Sequence, residues 1–220
     1  METKDLYTKC IEGARLRDDY STFAIHRFPI GKINIVSGKI VACDPFMISK
    51  NDHHFHQEAP SGEYDVSLII ATNLTNNDER VAGAYIDFSN KTPEKWIMAT
   101  KGHQKLSDLR ENHIYGYGVD SGTGSFLDLE SAKALVHNFM TNENYFEELN
   151  EHFDENYIST RSWVIYEVDP VKKLNVAMFS SGYGDGFYPS YWGYANDNSV
   201  ICVLTDFGIL GSAEFGGFDD

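Results

Sequence analysis

The sequence predicts a single α+β domain, residues 1–220, that is mostly antiparallel β-sheet in a meander or sandwich-like arrangement with two or three short helices. Three observations carry this prediction. Short apolar runs rich in branched and aromatic residues recur along the chain, each bounded by Gly, Pro, Asn or Asp. Aromatic residues make up 14% of the chain, and such side chains suit half-buried, pleated surfaces. At 220 residues the chain can bury one large core without staples, and no solenoid-period repeat or low-complexity linker divides it.

From the N-terminus, Leu6, Cys10, Ile11 and Ala14 recur at near-helical spacing and predict a short helix over 4–17. Residues 32–36, the turn Ser37-Gly38 and residues 39–43 read as a hairpin. Asp44-Pro45 ends its second strand, because Pro45 has no N–H for a ladder. Residues 64–70 and 80–88 form the next strand pair around a polar loop at 73–79, and 96–100 adds a short strand. A first helix starts at Asp128, with Ser131 as a second candidate cap, and carries Ala134, Leu135, Asn138 and Phe139 at helical spacing. A second helix bears the apolar stripe Tyr145, Phe146, Leu149 and Phe153 on an otherwise acidic surface, and the stripe reads as core contact. Strands return at 163–168, 175–179 and 199–204.

The charge balance bounds the partners. Thirty-three acidic and eighteen basic side chains give a net charge of −15. That field repels phosphate backbones, and no run of Lys or Arg offsets it, so nucleic-acid binding is not expected. A basic protein partner would instead be drawn in. Cys10, Cys43 and Cys202 have neither zinc nor redox spacing and read as reduced core thiols of a cytoplasmic protein. The N-terminal residues show no secretory pattern, and no apolar stretch approaches the roughly 20 residues needed to span a membrane.

Two glycine-rich segments are the candidates for chemistry. The first runs Gly116-Tyr117-Gly118-Val119-Asp120-Ser121-Gly122-Thr123-Gly124-Ser125-Phe126-Leu127-Asp128, the second Ser180-Ser181-Gly182-Tyr183-Gly184-Asp185-Gly186-Phe187-Tyr188-Pro189-Ser190-Tyr191-Trp192-Gly193-Tyr194. Glycine at this density permits the positive φ and close approach used by turns and ligand loops alike. Val119-Asp120-Ser121-Gly122-Thr123 matches the aspartic-protease pattern, yet one copy would need a symmetric dimer. It also resembles the phosphate loops of actin-like and sugar kinases, whose two lobes 220 residues scarcely accommodate. Asp120, Asp128, Asp185 and Asp206 lie in or beside turns and are the candidate ligands for a divalent cation. His53, His54 and His56 form a histidine cluster that reads as a polar loop.

At these residues the chain resembles a known family. The resemblance runs through Gly38-Lys39-Ile40-Val41-Ala42-Cys43-Asp44-Pro45, Pro60-Ser61-Gly62-Glu63-Tyr64-Asp65-Val66, Arg80-Val81-Ala82 and Trp96-Ile97-Met98-Ala99. It continues in Gly116–Gly124 and Ser181–Gly186 of the glycine-rich segments, Tyr191-Trp192-Gly193-Tyr194 and Thr205-Asp206-Phe207. Together these segments are similar to the domain-of-unknown-function 4241 family of bacterial proteins. The resemblance implies a single-domain cytoplasmic protein and brings no assigned catalytic residue. Tyr183 and Ala195 stand where the family tends to carry Trp and Asp, and an alanine there weakens a metal reading.

Two functions are expected from this reading. One is an acidic binding protein, in one version of immunity type, that neutralises a basic protein through Asp120, Ser121, Thr123, Asp185, Tyr191, Trp192 and Asp206, with Tyr191 and Trp192 as exposed aromatic anchors. The alternative is a metal-assisted hydrolase or small-ligand enzyme whose carboxylates come from the two glycine-rich loops. No oligomeric state is implied by either.

Overall fold

The run Leu68-Ile69-Ile70-Ala71 is apolar at every position because its alternate side chains enter different cores. That pattern follows from two stacked sheets, each covered on both faces. The computed structural model describes residues 6–212 and 214–218, of which 212 and 214–218 are described by their backbone alone.

In chain order the strands are β1 (Ala14–Arg17), β2 (Thr22–Ile35), β3 (Ile40–Cys43), β4 (Gly62–Asn73), β5 (Glu79–Asp87), β6 (Lys95–Met98), β7 (Tyr117–Val119) and β8 (Thr123–Asp128). Two helices follow, α1 (Leu129–Thr141) and α2 (Tyr145–Asp154). The chain then returns to β9 (Trp163–Asp169), β10 (Leu174–Ser180), β11 (Gly186–Tyr188), β12 (Ser190–Tyr194) and β13 (Val200–Asp206), before α3 (Ile209–Ser212) and β14 (Glu214–Phe218). The larger sheet has the order β14-β1-β2-β4-β5-β13-β12-β6, the smaller β3-β8-β10-β9, and β11 pairs with β7 apart from both. All these pairings are antiparallel. The fold is α+β, as the sequence predicts.

Between the sheets, Leu68, Ile70, Val203 and Trp192 of the larger meet Ile40, Ala42, Phe126 and Phe179 of the smaller. The outer face of the larger sheet is closed by Leu6, Cys10, Ile209 and Leu210 against Ile69, Tyr85 and Leu204. The outer face of the smaller sheet is closed by α1 and α2, through Leu135, Tyr145, Leu149 and Phe153 on Val41, Leu127 and Met178. The cysteines sit in these layers as free thiols, and burial pushes Cys43 and Cys202 up to about 12.

Two expectations from the sequence are corrected. Lys4 and Asp5 of the predicted first helix lie outside the described residues. Within the rest, only Thr8–Cys10 forms a 3₁₀ turn; Gly13 then adopts φ +77°, and Ala14–Arg17 alternates buried and exposed side chains as a strand. The predicted hairpin at 32–43 is not one, because β2 pairs with β4 while β3 pairs with β8 in the other sheet. The Asp128 carboxylate accepts from Ser37 N (2.8 Å) and Ser37 Oγ (2.9 Å), so the Ser37-Gly38 turn crosses between layers instead of folding back.

Candidate functional site

The two glycine-rich segments meet at one end of the sandwich, and a buried aspartate between them organises the junction. Asp44, 3% exposed, follows β3 at the point where Pro45 forbids continuation. Its Oδ2 accepts from Asp120 N (2.9 Å) and Ser121 N (2.8 Å). Its Oδ1 accepts from Ser121 Oγ (2.7 Å) and Phe46 N (3.0 Å). Four donors on one carboxylate satisfy a charge that burial would otherwise penalise.

The second segment closes over the first. Gly122 N donates to Asp185 Oδ1 (3.0 Å), and Ser181 N donates to Gly122 O (3.0 Å). Gly182 and Gly184 adopt φ +55° and +113°, and a Cβ on Gly182 would lie 2.9 Å from Phe207 O. Only glycine fits there. The short ladder between β7 and β11 completes this clasp. The amides that would cradle a phosphate, those of residues 120–122, already hold the carboxylates of Asp44 and Asp185.

The predicted site residues therefore separate. Asp120, Ser121 and Asp185 come together, exposed, at the clasp. Thr123 is buried in β8 opposite Ser180. Tyr191 and Trp192 are corrected from exposed anchors to core residues, 4% and 1% exposed, pointing into opposite faces of the larger sheet. Asp128 caps α1 by accepting from Glu130 N (2.9 Å). Asp206 accepts from Gly208 N (2.9 Å) and Leu210 N (3.2 Å), and burial pushes its carboxyl up to about 6. Among the described residues, no three His, Cys, Asp or Glu side chains gather as metal ligands. The proposed quartet is thus two internal caps and two clasp carboxylates.

The sequence reading missed the surface beside the clasp. Between Lys133 and Arg161 the chain carries six acidic residues and neither Lys nor Arg. Those six, Glu143, Glu147, Glu148, Glu151, Asp154 and Glu155, are all exposed. Tyr145, Leu149 and Phe153 are buried as expected, but Phe146 is turned outward beside Phe46, with ring centroids 5.2 Å apart. Past α2, Tyr157 and Ile158 are exposed, and the Thr160 hydroxyl donates to the Glu79 carbonyl. The Arg161 guanidinium pairs with the Glu79 carboxylate. These bonds set the loop against the start of β5. The two concavities flanking α1, of about 320 and 620 Å³, are lined by residues such as Val136, Met140 and Pro170 and by none of the clasp residues.

Neither a search of curated proteins nor one of solved structures gives a match. The family model described as "Protein of unknown function (DUF4241)" matches residues 33–205, a span that holds Asp44, both arms of the clasp and the whole acidic face. On that match, the chain belongs to the DUF4241 family.

Proposed function

We propose that this protein is a cytoplasmic bacterial binding protein that takes a basic protein partner on the face formed by α2 and the loop after it, in the manner of an immunity protein. The observation that supports it most is the concentration of six exposed carboxylates, with no Lys or Arg between 134 and 160, next to exposed Phe146, Tyr157 and Ile158. Carboxylates steer a cationic partner and set its orientation, whereas exposed aromatic side chains supply desolvated contact area. No helix of the described chain is long and apolar enough to cross a membrane.

Association of a small, strongly basic globular protein, followed by stopped flow across ionic strength, tests this reading. Added salt is expected to slow the wild type steeply, since screening shortens the reach of the field. Reversing Glu147, Glu148, Glu151 and Asp154 to Lys is expected to remove most of that dependence. Reversing Asp19, Glu94, Glu111 and Glu167, which are exposed elsewhere, is expected to remove much less. Equal effects of the two sets would refute a localised face.

A second reading draws support from the junction of the two glycine-rich segments, where Gly122 N, two residues from Asp120, donates to Asp185 Oδ1. It makes that junction a small-ligand or hydrolytic site, and its test is substrate screening of the wild type against Asp120→Asn and Asp185→Asn.

A further inference from the structure

We infer that Tyr157 and Tyr183 form an aromatic platform beside Arg80 that selects arginine over lysine side chains of the basic partner. The inference rests on the interaction reading above and adds a residue preference to it.

Tyr183 sits at the tip of the second clasp arm and is 64% exposed; Tyr157, after α2, is 61% exposed. Both are mounted rigidly. Gly182 and Gly184, in left-handed conformations, turn the Tyr183 side chain out of the sheet end, and Ser181 Oγ closes that turn on Gly184 O (2.8 Å). The Tyr157 hydroxyl donates to the carbonyl of Ser159, and the Thr160 and Arg161 contacts with Glu79 fix its loop. Arg80 joins the two. Its Nε and Nη2 grip Asp78 in a bidentate pair at 2.8 and 3.0 Å, and its guanidinium lies 5.2 Å from the Tyr183 ring centre. The loop of Tyr157 is brought to the same edge, since Thr160 and Arg161 bond Glu79, the residue before Arg80. The Asp78 pair offsets the charge of Arg80, so Arg80 acts as a plate that holds the tyrosine rather than as a repulsive cation.

Exposed, preorganised tyrosines are costly in apolar surface left in water, and they are the side chains that anchor protein partners at little entropic cost. Asp154 and Glu155 precede Tyr157 by three and two residues, and Asp185 follows Tyr183 by two, so exposed carboxylates flank each tyrosine in the chain and favour a cation there. A guanidinium is planar and weakly hydrated and stacks on an aromatic face, whereas an ammonium holds its water more tightly. Two exposed cation–π contacts are together worth about fivefold or more in affinity, and the guanidinium keeps the larger share of that gain.

Calorimetric titration of the full chain with a flexible peptide alternating arginine and glycine, and with its lysine counterpart, tests the proposal. The expected result is tighter binding of the arginine peptide, by up to about fivefold. That preference should shrink in Tyr157→Leu and in Tyr183→Leu, disappear when both are replaced, and survive in Tyr183→Phe. Both positions are exposed, so an unchanged unfolding midpoint verifies that the variants fold. Equal affinity of the two peptides for the wild type overturns the platform while leaving the acidic face standing. A preference that shrinks in Tyr183→Phe as it does in Tyr183→Leu also overturns it, because stacking does not need the hydroxyl. Binding of neither peptide overturns the platform together with the interaction reading.

Discussion

Replacing Asp206 by Asn removes a carboxylate that is 3% exposed and accepts from the amides of Gly208 and Leu210. Desolvation outweighs the amides of Gly208, Leu210 and Gly211 and pushes the carboxyl from 3.8 to about 6. The folded state therefore binds this proton more tightly than the unfolded state does. Stability from the protonated form is fully present below pH 3.8 and is lost as pH rises through about 6. The full loss corresponds to about 3 kcal/mol. Asn keeps an acceptor for the same amides and carries no charge. The wild type is thus expected to lose about 3 kcal/mol relative to Asp206→Asn between acidic and neutral pH. Glu12, held low chiefly by the Arg27 amide, and Asp197, held low chiefly by Lys91, act in the opposite sense at lower pH. Both are common to the two proteins and cancel in the difference. Urea unfolding of both across that pH range measures it. A difference that stays constant with pH, or a wild type that gains on the variant as pH rises, would refute the reasoning.

Other consequences of the structure are open to similar checks. Asp44→Ala leaves the amides of Phe46, Asp120 and Ser121 without their acceptor and is expected to cost about 3–5 kcal/mol in denaturant unfolding. Gly182→Ala forces a side chain into a left-handed position against Phe207 O and should cost about 1–3 kcal/mol. Gly118→Ala, where nothing lies within 4 Å of the new Cβ, should fall within about 0.5 kcal/mol of the wild type. Asp128→Ala removes both the α1 cap and the anchor of Ser37, and a loss of about 2 kcal/mol or more is expected by the same measurement.

Elements built from local signals were legible in the sequence. The β4–β5 pair, the existence of both long helices and the Asp128 cap follow from apolar runs, turn residues and a capping oxygen close by in the chain. The misread elements depend on partners far away. The segment 39–43 pairs with a strand about 85 residues later, and nothing near Ser37-Gly38 announces that Asp128 will capture the turn. In the glycine-rich segments, Thr123–Asp128 and Ser190–Tyr194 are buried strands whose glycines serve close packing; Gly193, for example, leaves no room for a Cβ beside Cys202 Sγ. Tyr191 and Trp192 looked like anchors because aromatic residues beside Gly suggest a loop, but in a sheet covered on both faces neighbouring side chains are both buried. The meeting of the two glycine-rich segments was foreshadowed by composition, whereas Asp44 carried only the turn signal of an Asp-Pro pair. The acidic face was available from the sequence as a charge run without Lys or Arg, and the helical stripe drew attention away from it.

The most direct test of the central claim is amide NMR mapping of the labelled chain during titration with the arginine–glycine peptide. Shifts concentrated in α2, the loop around Tyr157 and the clasp arm around Tyr183 are expected. Shifts spread evenly over all exposed carboxylates, or centred on the grooves beside α1, would contradict it.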